Sequence, residues 1–440
     1  MMLGFFMILV DSTIVSVAIP AITEGLGATY DQVIWVNSSY LLAYAVPLLV
    51  TGRLGDRFGP RTMYLAGLAL FTVSSLACGL APSIGALIAA RAFQGLGGAM
   101  VTPQTMSVMI RTFDPAARGG AMGVWGATAG VATVTGPLLG GLLVDASGWA
   151  WIFFVNVPVG IAGLVLAWDH VPSLERTNRT FDWPGVGLST AGMFCLVFGI
   201  QEGARLGWDW RFWGFMVAAC ALMGLFVRRQ SMLADAALVP LRLFADRNFS
   251  LASAAIATVG FTISTYIIPW MIYVQTVRGL SPTAAALLVL PSGLISGVLS
   301  PFVGKLTNTH DPKPFAIAGL SLVAVSVAVT AMITDPGIDP RWMYAVSALY
   351  GVANSMLWGP LSMIATRNLD PRLAGAGSSV YNTTRQVGAV IGSAAIAAMM
   401  SSQLARQLGG GSGAGGAAGA AGAAGPAGMG GALPEPLHAP

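Results

Sequence analysis

Thirteen apolar stretches, each close to the length of a membrane-crossing helix, divide this 440-residue sequence. They run roughly over 2–22, 32–51, 62–81, 84–106, 120–143, 150–168, 184–201, 212–228, 249–273, 283–303, 314–334, 342–365 and 376–400. A helix needs about 20 apolar residues to cross the hydrocarbon core, because each residue adds only about 1.5 Å. Connections are short and rich in Gly, Pro, Asp and Arg. Only 9% of the residues are charged and 55% are hydrophobic, whereas soluble domains carry roughly 25% charged residues. Such a chain cannot clothe a water-facing surface. We read it as an all-α, polytopic membrane protein with about thirteen transmembrane helices.

Basic residues set the orientation. With the N-terminus in the cytoplasm, 15 of the 22 Lys and Arg side chains fall in inner loops and five in outer ones; Arg91 and Arg385 stay inside the membrane. The expected location is therefore multi-pass in the plasma membrane or the cell inner membrane. The net charge of +4 is spread over short loops and does not form a nucleic-acid patch. Cys78, Cys195 and Cys220 sit in apolar segments, without metal spacing or a disulfide framework. His170, His310 and His438 are loop or tail residues with no ligand cluster or nucleophile around them, so no enzyme and no metal are expected. No phosphate-cradling loop is present, so ATP is not the direct energy source. A Gly/Ala tract from Gly409 to near Gly431 reads as a flexible tail. The abrupt start and the odd number of stretches lead us to expect a chain truncated at both ends.

Asp11 lies in the middle of the first stretch. A carboxylate at bilayer depth is costly and usually marks an ion or proton pathway, although a capping or packing role is the plainer alternative. Arg91 lies at a similar depth in the fourth stretch, at about 1.5 Å per residue from the outer end. The two can share one polar site; a structural anchor to backbone carbonyls is the other reading of Arg91. In the fifth stretch Gly126, Gly130, Thr133, Pro137 and Gly140 follow steps of four and three. They share a face of small residues suited to close helix packing, with a proline able to kink it. In the last stretch Ser378, Tyr381, Arg385, Gly388 and Gly392 share a face, and the run 378–386 is polar enough to line a wet path or a hydrogen-bonded helix seam. The loop after the second stretch reads Gly52-Arg53-Leu54-Gly55-Asp56-Arg57-Phe58-Gly59-Pro60-Arg61. Its glycines allow a tight turn, and Asp56 with the arginines can form a charge network where a helix N-terminus favours a carboxylate.

That loop resembles the signature between helices 2 and 3 of the major facilitator superfamily. Four further stretches resemble its 14-helix drug:proton antiporters of the EmrB/QacA type: 11–20, Arg91-Ala92-Phe93-Gln94-Gly95-Leu96-Gly97-Gly98, Gly136-Pro137-Leu138-Leu139-Gly140-Gly141 and 151–160. The resemblance covers residues 1 to about 407. It implies a major facilitator fold with a six-helix bundle over 1–169, a linker with an extra central helix pair over 170–248, a five-helix bundle over 249–408 and a tail over 409–440, the fourteenth helix being absent. It further implies proton-coupled multidrug efflux of amphipathic or cationic small molecules by alternating access, driven by the proton gradient without a cofactor. Asp11 and Arg91 would couple the proton. Gly52, Asp56, Arg57, Gly59 and Arg61 would form the conformational motif, and Gly136, Pro137, Gly140 and Gly141 the antiporter motif. The substrate cavity would draw on Trp35, Tyr40, Trp125, Trp270, Asn354, Trp358, Tyr381, Asn382, Arg385 and Gln386; interfacial aromatic belts account for several of these equally well. The second-half counterpart of the loop has Asn308 where an aspartate often sits, so the charge lock is expected in the first half only. A narrow-specificity metabolite or lipid transporter, and a non-transporting receptor or inactive fragment, remain as alternatives.

Overall fold

The computed structural model describes residues 1–114, 117–174, 182–203, 208–233, 237–334, 339 and 341–409. The tail over 410–440 and the basic loop residues Arg176, Arg179 and Arg205 lie outside the described residues. Among the described residues sixteen α-helices follow one another: α1 (Met2–Leu26), α2 (Tyr30–Ala45), α3 (Leu48–Phe58), α4 (Pro60–Gly79), α5 (Ile84–Thr112), α6 (Arg118–Ser147), α7 (Trp151–Phe154), α8 (Asn156–His170), α9 (Trp183–Glu202), α10 (Trp210–Leu233), α11 (Arg247–Ile272), α12 (Pro282–Leu306), α13 (Pro312–Met332), α14 (Arg341–Ser355), α15 (Trp358–Thr366) and α16 (Ala374–Gly409).

Helix occupies all thirteen predicted positions, but the expectation of thirteen plain spans needs correction. Among the described residues, ten helices are long and apolar enough to cross a membrane by themselves, and the α2–α3 pair, bent by 47°, raises the number to eleven. Pro47 causes that bend, because its ring removes a backbone donor at the α2–α3 junction. The twelfth stretch is broken between Ser355 and Trp358 into halves of 15 and nine residues. The thirteenth, α16, opens on the polar run Ser378–Gln386.

Polar side chains start the helices. Thr29 and Gln32 make a reciprocal capping box on α2. Ser83, Asp246, Ser281 and Asp311 accept from first-turn amides of α5, α11, α12 and α13. Gly59, at φ 93, ends α3 and lets the chain turn directly into α4.

In the first half α1 packs on α6, α2 on α5, and α4 on both α5 and α8; in the second half α11 packs on α16, and α12 and α13 on α14. The halves meet on two sides. On one, α6 lies along α12, and on the other α16 lies against α3 and α5. The first of these seams is a close approach of backbones: a Cβ on Gly123 would sit 2.6 Å from the Ser300 carbonyl oxygen, and one on Gly119 or Gly130 would crowd the Gly304 carbonyl or the Ser296 hydroxyl. The opposite face of α12 exposes Leu294, Val298 and Phe302 at four-residue spacing, as a lipid-facing surface would. The extra pair α9–α10 packs beside the second seam. Met193 and Val197 of α9 join Ala45, Val46 and Val390 in one apolar cluster, so α9 touches both halves.

Candidate functional site

Asp11 is fully buried in α1, and two other helices bring three donors to it. Arg91 and Gln94 of α5, three residues apart, point from one helix face. Asn156 is the first residue of α8, placed there by the break at Val155. Asp11 Oδ2 accepts from Arg91 Nη1 at 2.5 Å. Its Oδ1 accepts from Gln94 Nε2 and Asn156 Nδ2, both at 2.9 Å. Gln94 Nε2 also reaches Ser75 Oγ of α4 at 2.6 Å, and Gln94 Oε1 accepts from Arg91 Nη1 at 2.6 Å. The guanidinium lies 4.1 Å from the Tyr40 ring centre, while its Nε donates to the Val36 carbonyl at 3.2 Å. Tyr40 donates its hydroxyl to the Ile8 carbonyl, one turn before Asp11. A buried ion pair holds only when further hydrogen bonds satisfy both partners, and here the carboxylate receives three donors. Arg91 Nη2 alone stays buried without a hydrogen-bond partner among the described residues. Asp11 and Arg91 therefore meet as their depths implied. Gln94, Asn156 and Ser75 were missed; the available signal was a side-chain amide inside an apolar run for Gln94 and Asn156, and none for Ser75.

The small residues of α6 serve two neighbours. Gly126 and Gly130 face the second half, where a Cβ on Gly126 would lie 2.8 Å from Trp358 Cβ. Gly136 and Gly140 instead face α1: a Cβ on Gly136 would crowd Thr13 and come within 3.0 Å of the Val10 carbonyl. Gly141 is looser, with Thr283 at 3.6 Å. The shared face predicted for these positions passes from α12 and α15 to α1 along the 30-residue helix. Pro137 lies inside α6 between the two α1 contacts. The α1 contact flanks Asp11 directly, at Val10 and Thr13.

The Gly52–Arg61 motif divides as well. A Cβ on Gly52 would meet Ser379 and come within 2.5 Å of the Gly375 carbonyl, so α3 and α16 touch through their backbones. Asp56 Oδ1 accepts the Gly375 amide at 3.2 Å, at the first turn of α16, where the helix dipole favours a carboxylate. Arg53 Nη1 lies 3.8 Å from the other Asp56 oxygen. Arg61 stays within the first half, donating to the Trp168 carbonyl and stacking 5.4 Å from its ring. Arg57 lies over Phe58. Further ties across the halves join this end: Arg118 to the Thr366 carbonyl at 3.3 Å, the Gly119 amide to Asn308 Oδ1 at 2.8 Å, and Ser378 Oγ to the Pro103 carbonyl at 2.7 Å. Asn308 thus acts as an uncharged counterpart of Asp56, accepting from the first turn of α6. Pro103 also leaves the Ala99 carbonyl without its helical donor, and Thr51 Oγ1 fills the vacancy at 2.7 Å.

The proposed cavity residues do not form one group. Trp125 packs between Phe5 and Trp358, at ring distances of 5.0 and 6.0 Å, and Trp358 lies under Arg385 at 5.9 Å. Tyr381 is buried in the same apolar cluster as Trp125 and Trp358. Asn382 donates to the Ser378 carbonyl along α16, and Gln386 is buried one turn further on. Asn354 interacts with Tyr350, in the same α14–α15 segment as Trp358. Trp35 instead packs on Phe198 of α9, and Tyr40 belongs to the Arg91 site. Trp270 stacks between Tyr266 and Tyr273 in a separate second-half cluster.

Outside the membrane segments, Asp182 caps α9 and binds α10. Although burial opposes its charge, hydrogen bonds from the Gly185 amide, Arg229 Nε (2.7 Å) and Gln230 Nε2 (2.8 Å) hold its carboxyl below the usual range. Asp246 is likewise held low against burial, by Asn368 and the Phe249 and Asn248 amides.

Residues 1–393 match the family model described as Major Facilitator Superfamily. The chain is 49% identical to the "Uncharacterized MFS-type transporter Rv1250" of Mycobacterium tuberculosis, over 93% of this chain and 71% of that one. It is 35% identical to the "Tetracenomycin C resistance and export protein" of Streptomyces glaucescens, over 91% and 75% of the two chains. With the "Multidrug export protein EmrB" of Escherichia coli it shares 30% identity over 91% and 79%. Its fold matches the crystal structure of the human organic anion transporter MFSD10 with a TM-score of 0.63 at 15% identity, covering 90% and 91% of the two chains. The chain belongs to the major facilitator superfamily, a family of membrane transporters, and is related within it to the 14-helix EmrB type.

Proposed function

We propose that this chain is a proton-coupled exporter of amphipathic small molecules that works by alternating access. One observation carries the reading: a fully buried Asp11, held by Arg91, Gln94 and Asn156, stands directly against the glycine contact between α1 and α6. A proton on Asp11 removes the charge that Arg91 balances and turns one acceptor into a donor. The three donors lose their common target, and α1 is released from α5 and α8. The bare backbone at Gly136 and Gly140 lets α1 shift along α6, and α6 carries the shift to α12. At the Asp56 end, the contacts of α3 with α16 and of α6 with α12 then separate, and the bundles over 1–169 and 249–408 rock about the centre. In this reading the Asp56 end and the N-terminus face the cytoplasm. The names of the Streptomyces and Escherichia relatives support export as the direction.

The test is efflux of a fluorescent amphipathic dye from pump-deficient bacterial cells expressing the chain, with and without a protonophore. Export by the parent that collapses with protonophore, and is absent in well-inserted Asp11→Asn, supports the reading. Gradient-driven export that survives Asp11→Asn removes Asp11 from coupling, and export indifferent to protonophore removes the proton.

A further inference from the structure

The membrane-buried charge of this chain does not balance. Apart from Asp11, every acidic residue falls within four residues of a helix end or in a connection. Two arginines, Arg91 and Arg385, lie deep in α5 and α16. Asp11 takes Arg91. Arg385 has no carboxylate on it among the described residues, and its Nε is buried without a hydrogen-bond partner. Two more buried donors are also unmet: the Tyr381 hydroxyl, one turn from Arg385 on α16, and Trp125 Nε1, whose ring meets the Trp358 ring that Arg385 overlies. Trp125 and Tyr381 are 1% and 0% exposed, so water does not supply the missing bonds from outside. An indole N–H and a guanidinium N–H can only donate. On the same turn, Asn382 Oδ1 adds one neutral acceptor, and Thr383 Oγ1 can serve either way. Buried donors left unpaired are expensive, and native proteins keep them where something else completes them.

Aromatic faces surround these donors. Phe5 stacks on Trp125 with planes 13° apart, Trp358 meets Trp125 edge-on, and Arg385 lies over Trp358. Four helices contribute: α1, α6, α15 and α16, two from each half. A molecule bound here would touch both halves at once, as a substrate of alternating access must.

Within the export reading above, we propose that this cluster recognises the transported molecule and selects an aromatic amphiphile bearing a carboxylate or similar anionic group. The anion takes the guanidinium of Arg385 and the indole N–H of Trp125, and the ring system stacks on the neighbouring aromatics. A cation meets an unneutralised guanidinium in a low-dielectric setting and is rejected. The cationic substrates implied by the family resemblance fit this centre poorly.

The experiment is equilibrium binding by calorimetry to the full chain purified in detergent, with no gradient. The probes are naphthoate and naphthylmethylammonium, which share one ring system and differ in the sign of their charge. Naphthoate is expected to bind the parent at least about tenfold more tightly, the size of one charge-assisted hydrogen bond. Arg385→Gln should erase that ratio and Arg385→Lys should keep most of it. Trp125→Phe, which keeps a ring but loses the N–H, should weaken naphthoate roughly threefold and leave the ammonium unchanged. If Arg385→Gln fails to fold, Arg385→Lys and Trp125→Phe decide. Equal or tighter binding of the ammonium overturns the proposal, as does an unchanged ratio in a well-folded Arg385→Gln. Naphthoate binding without gradient-driven export would instead refute the export reading and leave this one standing.

Discussion

Arg91 and Arg385 are both arginines deep within a helix, one in each half, and their surroundings differ sharply. Arg91 meets a carboxylate, an amide oxygen, a backbone carbonyl and an aromatic face, all within the first half. Arg385 has an aromatic face and an unmet N–H, at a point shared by both halves. The first also leaves one N–H unmet, at Nη2, but its charge is neutralised by Asp11, so a proton is what would change its state. The second has no carboxylate on it among the described residues, and its Nε waits for an acceptor. In the two proposals above, coupling and recognition centre on different arginines but share α1, which carries both Asp11 and Phe5.

Breaking the neutralised pair should have the largest effect. Arg91→Met leaves Asp11 charged, buried and unpaired, at a cost of about 3–5 kcal/mol. We expect a large drop in thermal stability in detergent, mostly recovered in the Arg91→Met/Asp11→Asn double variant. Arg385→Gln should cost less than about 1 kcal/mol, since it breaks no pair. Equal losses for Arg91→Met and Arg385→Gln would erase the contrast between the two sites.

Next in size is Gly136→Ala. The added methyl meets Thr13 and the Val10 carbonyl, and overpacking costs about 1–3 kcal/mol. Efflux should fall well below the parent while the ammonium-to-naphthoate binding ratio stays put, because the clash lies on the coupling side. A changed ratio would tie the two sites together.

A smaller effect belongs to Asn308→Ala, which deletes one hydrogen bond between the halves, worth about 0.5–1.5 kcal/mol. It should shift the population away from the state closed at the Asp56 end. Labelling of a cysteine introduced at Ser378 should rise several-fold, and unchanged labelling would show that Asn308 holds nothing shut.

The smallest concerns pH and the α9–α10 pair. Asp182 has a carboxyl held below its usual value, so its stabilisation is complete above the unfolded carboxylate range. It is lost as the pH falls through the lowered folded value. Protease access to the α9–α10 region should rise only at distinctly acidic pH in the parent. In Asp182→Asn it should be raised already at neutral pH.

Much of this was legible from composition and spacing. Helix positions and order followed from apolar length, and the Asp11–Arg91 pair from two charges at matching depth. The breaks in the second, sixth and twelfth stretches were not legible, because hydropathy averages over Pro47, Val155 and Met356. The role of Asn156 depends on the α7–α8 break, which places an amide donor at mid-span. That Trp35, Tyr40 and Trp270 pack apart from the Trp125 group was not legible for a related reason. Periodicity places a residue on a face of its own helix, but the neighbour on that face is fixed by tertiary packing. Asn308 shows the opposite error. Read as a lost charge, it turns out to accept the same kind of first-turn amide that Asp56 accepts.

The two seams between the halves are not alike, and the bilayer will feel the difference. Where α6 meets α12, backbones touch at Gly119, Gly123 and Gly304 and only small side chains fill the rest, which leaves little room for an acyl chain. At the other seam α9 is wedged against α2, α3 and α16, with its own Phe194 and Phe198 stacked on each other and Phe215 of α10 tilted against Phe198. Any rocking of the halves must slide or lift that helix against the lipid. One edge of the protein thus behaves as a fixed spine and the other as an elastic margin, so membrane tension and thickness should set the ease of opening mainly through α9.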